Sequence, residues 1–182
     1  MGKLVSKTYG DALFEVAVQG ECLDEFYVQI EELLKVFQEN TELTKALEQP
    51  KIAKDEKIKM IEGIFSGQIA REILGVMVLL IEKNHYTDME SVFAYFIEQV
   101  KEAQGVGIAT VTTAVELRAE QRQEIEKKLL DTTKYTTFEM GYLVDETLIG
   151  GMVIRIGDRV VDSSIKTKIY GLSKDLKNIQ LA

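Results

Sequence analysis

The chain has 182 residues, of which 46% are apolar and 29% charged, with one Pro, one Cys and a formal net charge of −8. That much apolar material can build a core, which excludes a disordered chain, and the acidic balance disfavours binding to phosphate backbones. The single thiol, Cys22, excludes an internal disulfide, and the longest apolar run, Ile73 to Ile81, is too short to cross a bilayer.

The acidity is uneven: residues 1–105 carry 11 basic and 19 acidic side chains, residues 106–182 carry 11 of each. Met1 to Val5 lack the basic-then-apolar pattern of a secretion signal. The first half reads as successive amphipathic helices. Val5, Tyr9, Ala12, Leu13, Val16 and Ala17 share one helical face, and Gly20 is the expected stop. Leu23, Phe26, Tyr27, Ile30, Leu33, Leu34 and Phe37 repeat the pattern. Thr41 is the expected cap of a short third helix ending before Pro50. A fourth helix starts near Asp55 and carries Ile58, Ile61, Ile64 and Phe65.

The fifth helix spans roughly Gln68 to Lys83, and its centre is apolar almost all round. Such a helix is central in a bundle, or one side of it receives a partner helix. Asn84 is the expected left-handed terminator. A sixth helix shows Met89, Val92, Phe93, Phe96, Ile97 and Val100. Six helices with short connections predict a compact bundle over residues 1–105.

Gln104-Gly105-Val106-Gly107 marks a linker, and the texture then changes. Ile108 to Val115 is rich in Val and Thr, which predicts a strand. Ala119 to Asp131 is helical, with Ile125, Leu129 and Leu130 inward. Phe138, Met140, Tyr142 and Val144 alternate as in a half-buried strand. Asp145-Glu146-Thr147 reads as a turn. Met152 to Ile156 and Arg159 to Asp162 flank Gly157-Asp158, which suits a type II′ hairpin. Ile165, Ile169, Leu172, Leu176 and Ile179 form the stripe of a last helix. Residues 106–182 thus read as a small α/β domain of order β-α-β-β-β-α, and the whole chain as mostly α.

No catalytic constellation is legible. His85 is the only His, which excludes a His-rich metal site; beside Asn84 and Tyr86 it reads as part of a helix-helix turn. Cys22 opens a helix without a His partner nearby and reads as a packed thiol. Gly105-Val106-Gly107 lacks the third Gly and preceding strand of a dinucleotide loop, and no Walker Gly-Lys-Ser/Thr sequence is present. Metal and cofactor are expected to be none. Arg155 and Arg159 straddle the tight turn and have Asp158 or Asp162 as candidate ion-pair partners of low energetic value.

One stretch is specific: Gly150-Gly151-Met152-Val153-Ile154-Arg155-Ile156-Gly157-Asp158-Arg159-Val160-Val161-Asp162. It resembles the C-terminal signature of the ATP synthase delta subunit family, whose mitochondrial member is the oligomycin-sensitivity-conferring protein, at Gly150, Gly151, Ile154, Arg155, Gly157, Asp158 and Asp162. Tyr9-Gly10-Asp11-Ala12-Leu13-Phe14 and Leu80 to Asp88 are similar to the family's first helix and its fifth-to-sixth connection. Gly10 departs from the pattern, since a stronger helix former is expected there, and a looser first helix would follow.

The resemblance implies a non-catalytic stator subunit of an F-type ATP synthase, one copy per complex, peripheral on the cytoplasmic face of the bacterial plasma membrane. It implies that residues 1–105 bind N-terminal helices of the alpha subunits of the catalytic head. One of those helices would sit in a groove between the first and fifth helices, at Tyr9, Ala12, Leu13, Val16, Val76, Met77, Leu80 and Lys83. It implies that residues 106–182 meet the b-type subunits of the peripheral stalk. The competing readings are a stand-alone helical adaptor with a helix-binding groove and, against the shortage of convergent polar groups, a small enzyme.

Overall fold

The structure, a computed structural model, describes residues 2–170. Its contacts divide the chain into a first unit, Met1–Lys101, and a second that begins at Glu102. The chain is mostly helical and carries one small four-stranded mixed sheet.

The helices preceding the sheet are α1 (Gly2–Gln19), α2 (Leu23–Glu39), α3 (Thr41–Glu48), α4 (Lys54–Phe65), α5 (Arg71–Glu82) and α6 (Met89–Ala103), with a 3-10 turn, Tyr86–Asp88, before α6. Each is there because its apolar residues recur at three and four and find one another. α2 buries Phe26, Ile30, Leu33 and Phe37; α5 buries Ile73, Met77, Leu80 and Ile81; α6 buries Met89, Val92, Phe93, Phe96 and Val100. With Leu13 and Ala17 of α1 they make one continuous core. Each large side chain so buried contributes about 1.5–3 kcal/mol, which offsets the ordering cost of helices too short to persist alone.

Two helix ends close alike. The Cys22 N–H donates to the Ala17 carbonyl (3.0 Å) and the His85 N–H to the Leu80 carbonyl (2.7 Å), each satisfying an orphan carbonyl of the last turn. Asn84 takes the left-handed conformation there (φ 60°), as its residue type predicts. At the end of α1 that conformation falls on Glu21 (φ 52°) and not on Gly20. The closure to Ala17 puts the left-handed residue immediately before Cys22, one position beyond the glycine. Cys22 sits at the start of α2, half-buried, its Sγ 3.7 Å from the Ala17 carbonyl. Asn40, rather than Thr41, holds the cap position of α3, and it makes no side-chain cap bond.

In the second unit the elements are β1 (Val106–Thr113), α7 (Ala119–Thr132), β2 (Thr137–Val144), β3 (Met152–Ile156) and β4 (Arg159–Asp162), with a 3-10 turn, Glu146–Leu148, before β3. Residues 165–170 are helical. Ile165 and Ile169 of the last apolar stripe fall there; Leu172, Leu176 and Ile179 lie outside the described residues. The strand order is β2-β1-β3-β4. β1 and β2 are parallel, and the remaining pairs antiparallel. A parallel pair needs a crossover, and α7 supplies it.

The register sets Ala109 opposite Met140 and Ile156, and Val111 opposite Tyr142 and Ile154. One face of the sheet is therefore apolar, and Ile125 and Leu129 of α7 share a core with it. Gln121 fixes the start of α7 by accepting from the Arg118 N–H (3.0 Å). The Arg122 guanidinium lies 4.7 Å from the centre of the Tyr142 ring. Ile156 pairs with Arg159 around a two-residue turn in which Gly157 alone has positive φ (53°), as a type II′ turn requires.

Candidate partner-binding surface

The α1 sequence turns two flanks outward from its buried stripe of Ser6, Gly10, Leu13 and Ala17. At 100° per residue, Asp11 and Phe14 fall on one side, next to Gly10, and Tyr9, Ala12 and Val16 on the other. The first side meets α6: the Phe14 and Phe96 rings stand edge to face at 6.4 Å, and the Tyr95 hydroxyl donates to Asp11 Oδ1 (2.9 Å). On the second side the Tyr9 ring lies 6.3 Å from the His85 ring, just past the end of α5. His85 is held there, with Nδ1 3.4 Å from Asp88 Oδ2. Its role is to join α1 to the α5–α6 connection.

The eight residues expected to form the groove separate into two layers. Leu13, Met77 and Leu80 are core residues, each exposing 1% or less. They lie beneath the surface and not on it. Tyr9 and Val76 are half-buried, and Ala12, Val16 and Lys83 are exposed. Leu79, unmarked by the family resemblance, belongs with them: it exposes 38% of its surface. Its spacing from Val76 and Lys83, three and four residues, was available in the sequence. Val16 exposes 43%. Apolar side chains open to solvent on neighbouring helices have the character of a helix-accepting strip.

The signature residues are used differently. They tie the hairpin to the helical residues that follow it. The Ile165 N–H donates to the Gly150 carbonyl (3.0 Å) and the Ser163 N–H to the Met152 carbonyl (2.9 Å). Asp162 braces the helical start: Oδ1 accepts from the Ser164 N–H (2.8 Å) and Oδ2 from the Thr167 hydroxyl (2.7 Å), while Ser164 Oγ accepts the Thr167 N–H (3.3 Å) as the cap. That carboxylate is therefore engaged with the helix start, and not with Arg155 or Arg159. Ile154 packs into the sheet core; Arg155 is exposed on the opposite face, and Gly157 and Asp158 make the turn.

The hydrogen bonds from the Ser164 backbone and side chain and from Thr167 hold the Asp162 carboxyl below the ordinary carboxylate range. Those from Thr147 do the same for Asp145. A depressed folded-state pKa contributes stability above the unfolded value, near 3.8, which is lost as pH falls through the folded value beneath it. Acid should therefore weaken the amide protection of Ser164, whose N–H has the Asp162 carboxylate as its acceptor. In Asp162→Asn that protection should already be reduced at pH 7 and change little on acidification, as read by hydrogen exchange. Equal acid response in both chains would remove Asp162 as the cause.

Among the described residues, no three His, Cys, Asp or Glu side chains group as a metal site, and no helix is long and apolar enough to cross a membrane.

The model of the ATP synthase delta (OSCP) subunit family matches residues 5–176. The chain is 49% identical to ATP synthase subunit delta of Lachnoclostridium phytofermentans over 181 residues, covering 100% of each. It is 32% identical to that of Prochlorococcus marinus strain MIT 9301, covering 94% of this chain and 96% of the relative. For Brevibacillus brevis the figures are 31%, 93% and 96%. Its fold is similar to a chain in the mitochondrial ATP synthase hexamer of Toxoplasma gondii, with a TM-score of 0.76 at 16% identity, over 94% of this chain and 96% of the other.

Proposed function

The chain belongs to the ATP synthase delta (OSCP) subunit family, non-catalytic stator subunits of F-type ATP synthase, and on that premise we propose where it grips its neighbours. The first unit is a six-helix bundle that holds the catalytic head through N-terminal helices of the alpha subunits. One such helix lies on the strip formed by Tyr9, Ala12 and Val16 of α1 and Val76, Leu79 and Lys83 of α5. The second unit, of order β-α-β-β-β-α, meets the b-type stalk subunits. The assembly sits on the cytoplasmic face of the bacterial plasma membrane.

The observation that carries the reading is the open apolar strip over a fully packed floor. A rigid floor limits the ordering cost of binding. An amphipathic helix laid on the strip buries Val16 and Leu79 without demanding that the core open. The task is mechanical. Rotation of the central shaft applies torque to the head, and a head free to turn would waste the ion gradient. Two separate attachments on one subunit gain from high effective concentration, and neither needs a reactive group.

Calorimetric titration of the full chain with a peptide from the N-terminus of the same organism's alpha subunit tests the site. Saturable binding is expected, and Val16→Glu should weaken it by about 30-fold, a loss of about 2 kcal/mol. Thermal unfolding should change little, because Val16 is on the outside. Binding that is indifferent to Val16→Glu and to Leu79→Glu would move the site elsewhere on the first unit.

A further inference from the structure

Gly10 is a weak helix former, yet it lies in the middle of α1 and buried. Its environment gives the reason. A Cβ at this position would overlap Cδ1 of Tyr95 and lie 3.2 Å from Cε1 and 3.4 Å from Cγ. The ring therefore rests directly on the α1 backbone. Its hydroxyl is bonded to Asp11 Oδ1, the residue next to the glycine and 84 positions from Tyr95. The ring cannot swing away without losing that bond. Contact and hydrogen bond together fix both the distance of α1 from α6 and its rotation about its own axis. The opposite flank of α1 is Tyr9, Ala12 and Val16.

We propose that Gly10 and Tyr95 are a positioning pair: the ring seated on the glycine sets where α1 presents its outer flank, and so sets the geometry of the strip shared with α5. A wider side chain at position 10 displaces α1 on the α6 side, and the displacement appears at Tyr9 and His85. The functional half of this inference rests on the strip's being the helix site. The geometric half does not.

The test uses the full chain and two readouts. His85 is the only histidine, so its Cε1–H gives a single resonance free of overlap from other histidines, and the Tyr9 ring 6.3 Å away makes that resonance sensitive to α1. In Gly10→Ala the His85 peak should move. Affinity for the alpha-subunit peptide should fall about tenfold, within the range for coupled neighbours. Both changes should occur even though alanine ordinarily favours a helix. In Gly10→Ala/Tyr95→Ala, where the ring is gone, both should move back toward the parent chain. Tyr95→Phe, which keeps the ring and loses the hydroxyl, should give a smaller shift than Gly10→Ala. A Gly10→Ala chain that melts lower but keeps the His85 peak and the affinity would overturn the proposal, because the ring alone would then have yielded. A displaced peak in Gly10→Ala, restored in the double variant, together with no peptide binding by the parent chain, would uphold the positioning pair and remove the strip as the helix site.

Discussion

Truncating Phe93 to alanine should cost the first unit about 3–5 kcal/mol, a large part of the about 5–15 kcal/mol available to a domain. Phe93 exposes none of its surface and sits in the core shared by α1, α2, α5 and α6. The core that holds it is buried throughout, so truncation leaves a cavity. The urea midpoint followed by helix circular dichroism should drop accordingly. The second unit has its own core, built on Ala109, Val111, Ile125, Leu129 and Phe138. Amide protection of β1 should therefore survive where that of α6 is lost. Loss of β1 protection in step with α6 would show that the two units unfold as one body.

The same separation of layers explains what the sequence made legible. Spacing alone picks out the buried residues of α6, because Met89, Val92, Phe93, Phe96 and Val100 recur at three, one, three and four. It also marks the fifth helix as unusual. It does not tell wall from floor. On α1, Leu13 lies only 40° from Tyr9 and 60° from Val16 at ideal pitch, so all three belong to one apolar face. One is core and two are surface, and only the positions of the neighbouring helices decide which. Substituting glutamate at Leu13 or Leu80 would bury a charge and unfold the unit, so neither position can serve as a probe of binding.

Long-range causes are the other gap. Gly10 looks like a defect in its own helix, and its justification stands 85 positions away at Tyr95. The left-handed residue after α1 is set by which N–H reaches Ala17, so it falls on Glu21 although a glycine is adjacent. The family signature was legible as a pattern but not as a mechanism. The roles of Gly150 and Asp162 depend on Ile165, Ser164 and Thr167, whose approach to the hairpin is a property of the fold. Arg155 and Arg159 invited an ion-pair reading because charge is visible in sequence, whereas the approach of the Ser164 N–H and the Thr167 hydroxyl to Asp162 is not.

Gly151→Ala should be the most damaging small change in the second unit, and a neighbouring glycine shows why. Gly151 and Gly157 both have positive φ, 75° and 53°, so alanine at either is strained by about 1–2 kcal/mol. Their surroundings differ. A Cβ at Gly157 meets nothing within 4 Å, while one at Gly151 lies 2.5 Å from the Ser163 carbonyl oxygen and 3.1 Å from the Ser164 Cα. Those atoms are backbone, and they are held by the Ser163 N–H bond to Met152 and the Ile165 N–H bond to Gly150. They can yield only if the connection from the hairpin to the helical residues opens. Gly157→Ala should therefore lose about 1–2 kcal/mol, the strain alone. Gly151→Ala should lose about 3 kcal/mol or more, strain plus a broken contact, with amide protection vanishing first at Ser163 to Ile165. Urea titration read at β1 amides compares them directly. Equal losses would mean that backbone conformation is the whole requirement at position 151. A larger loss at Gly151 would mean that the first half of the signature exists to let two stretches of backbone touch.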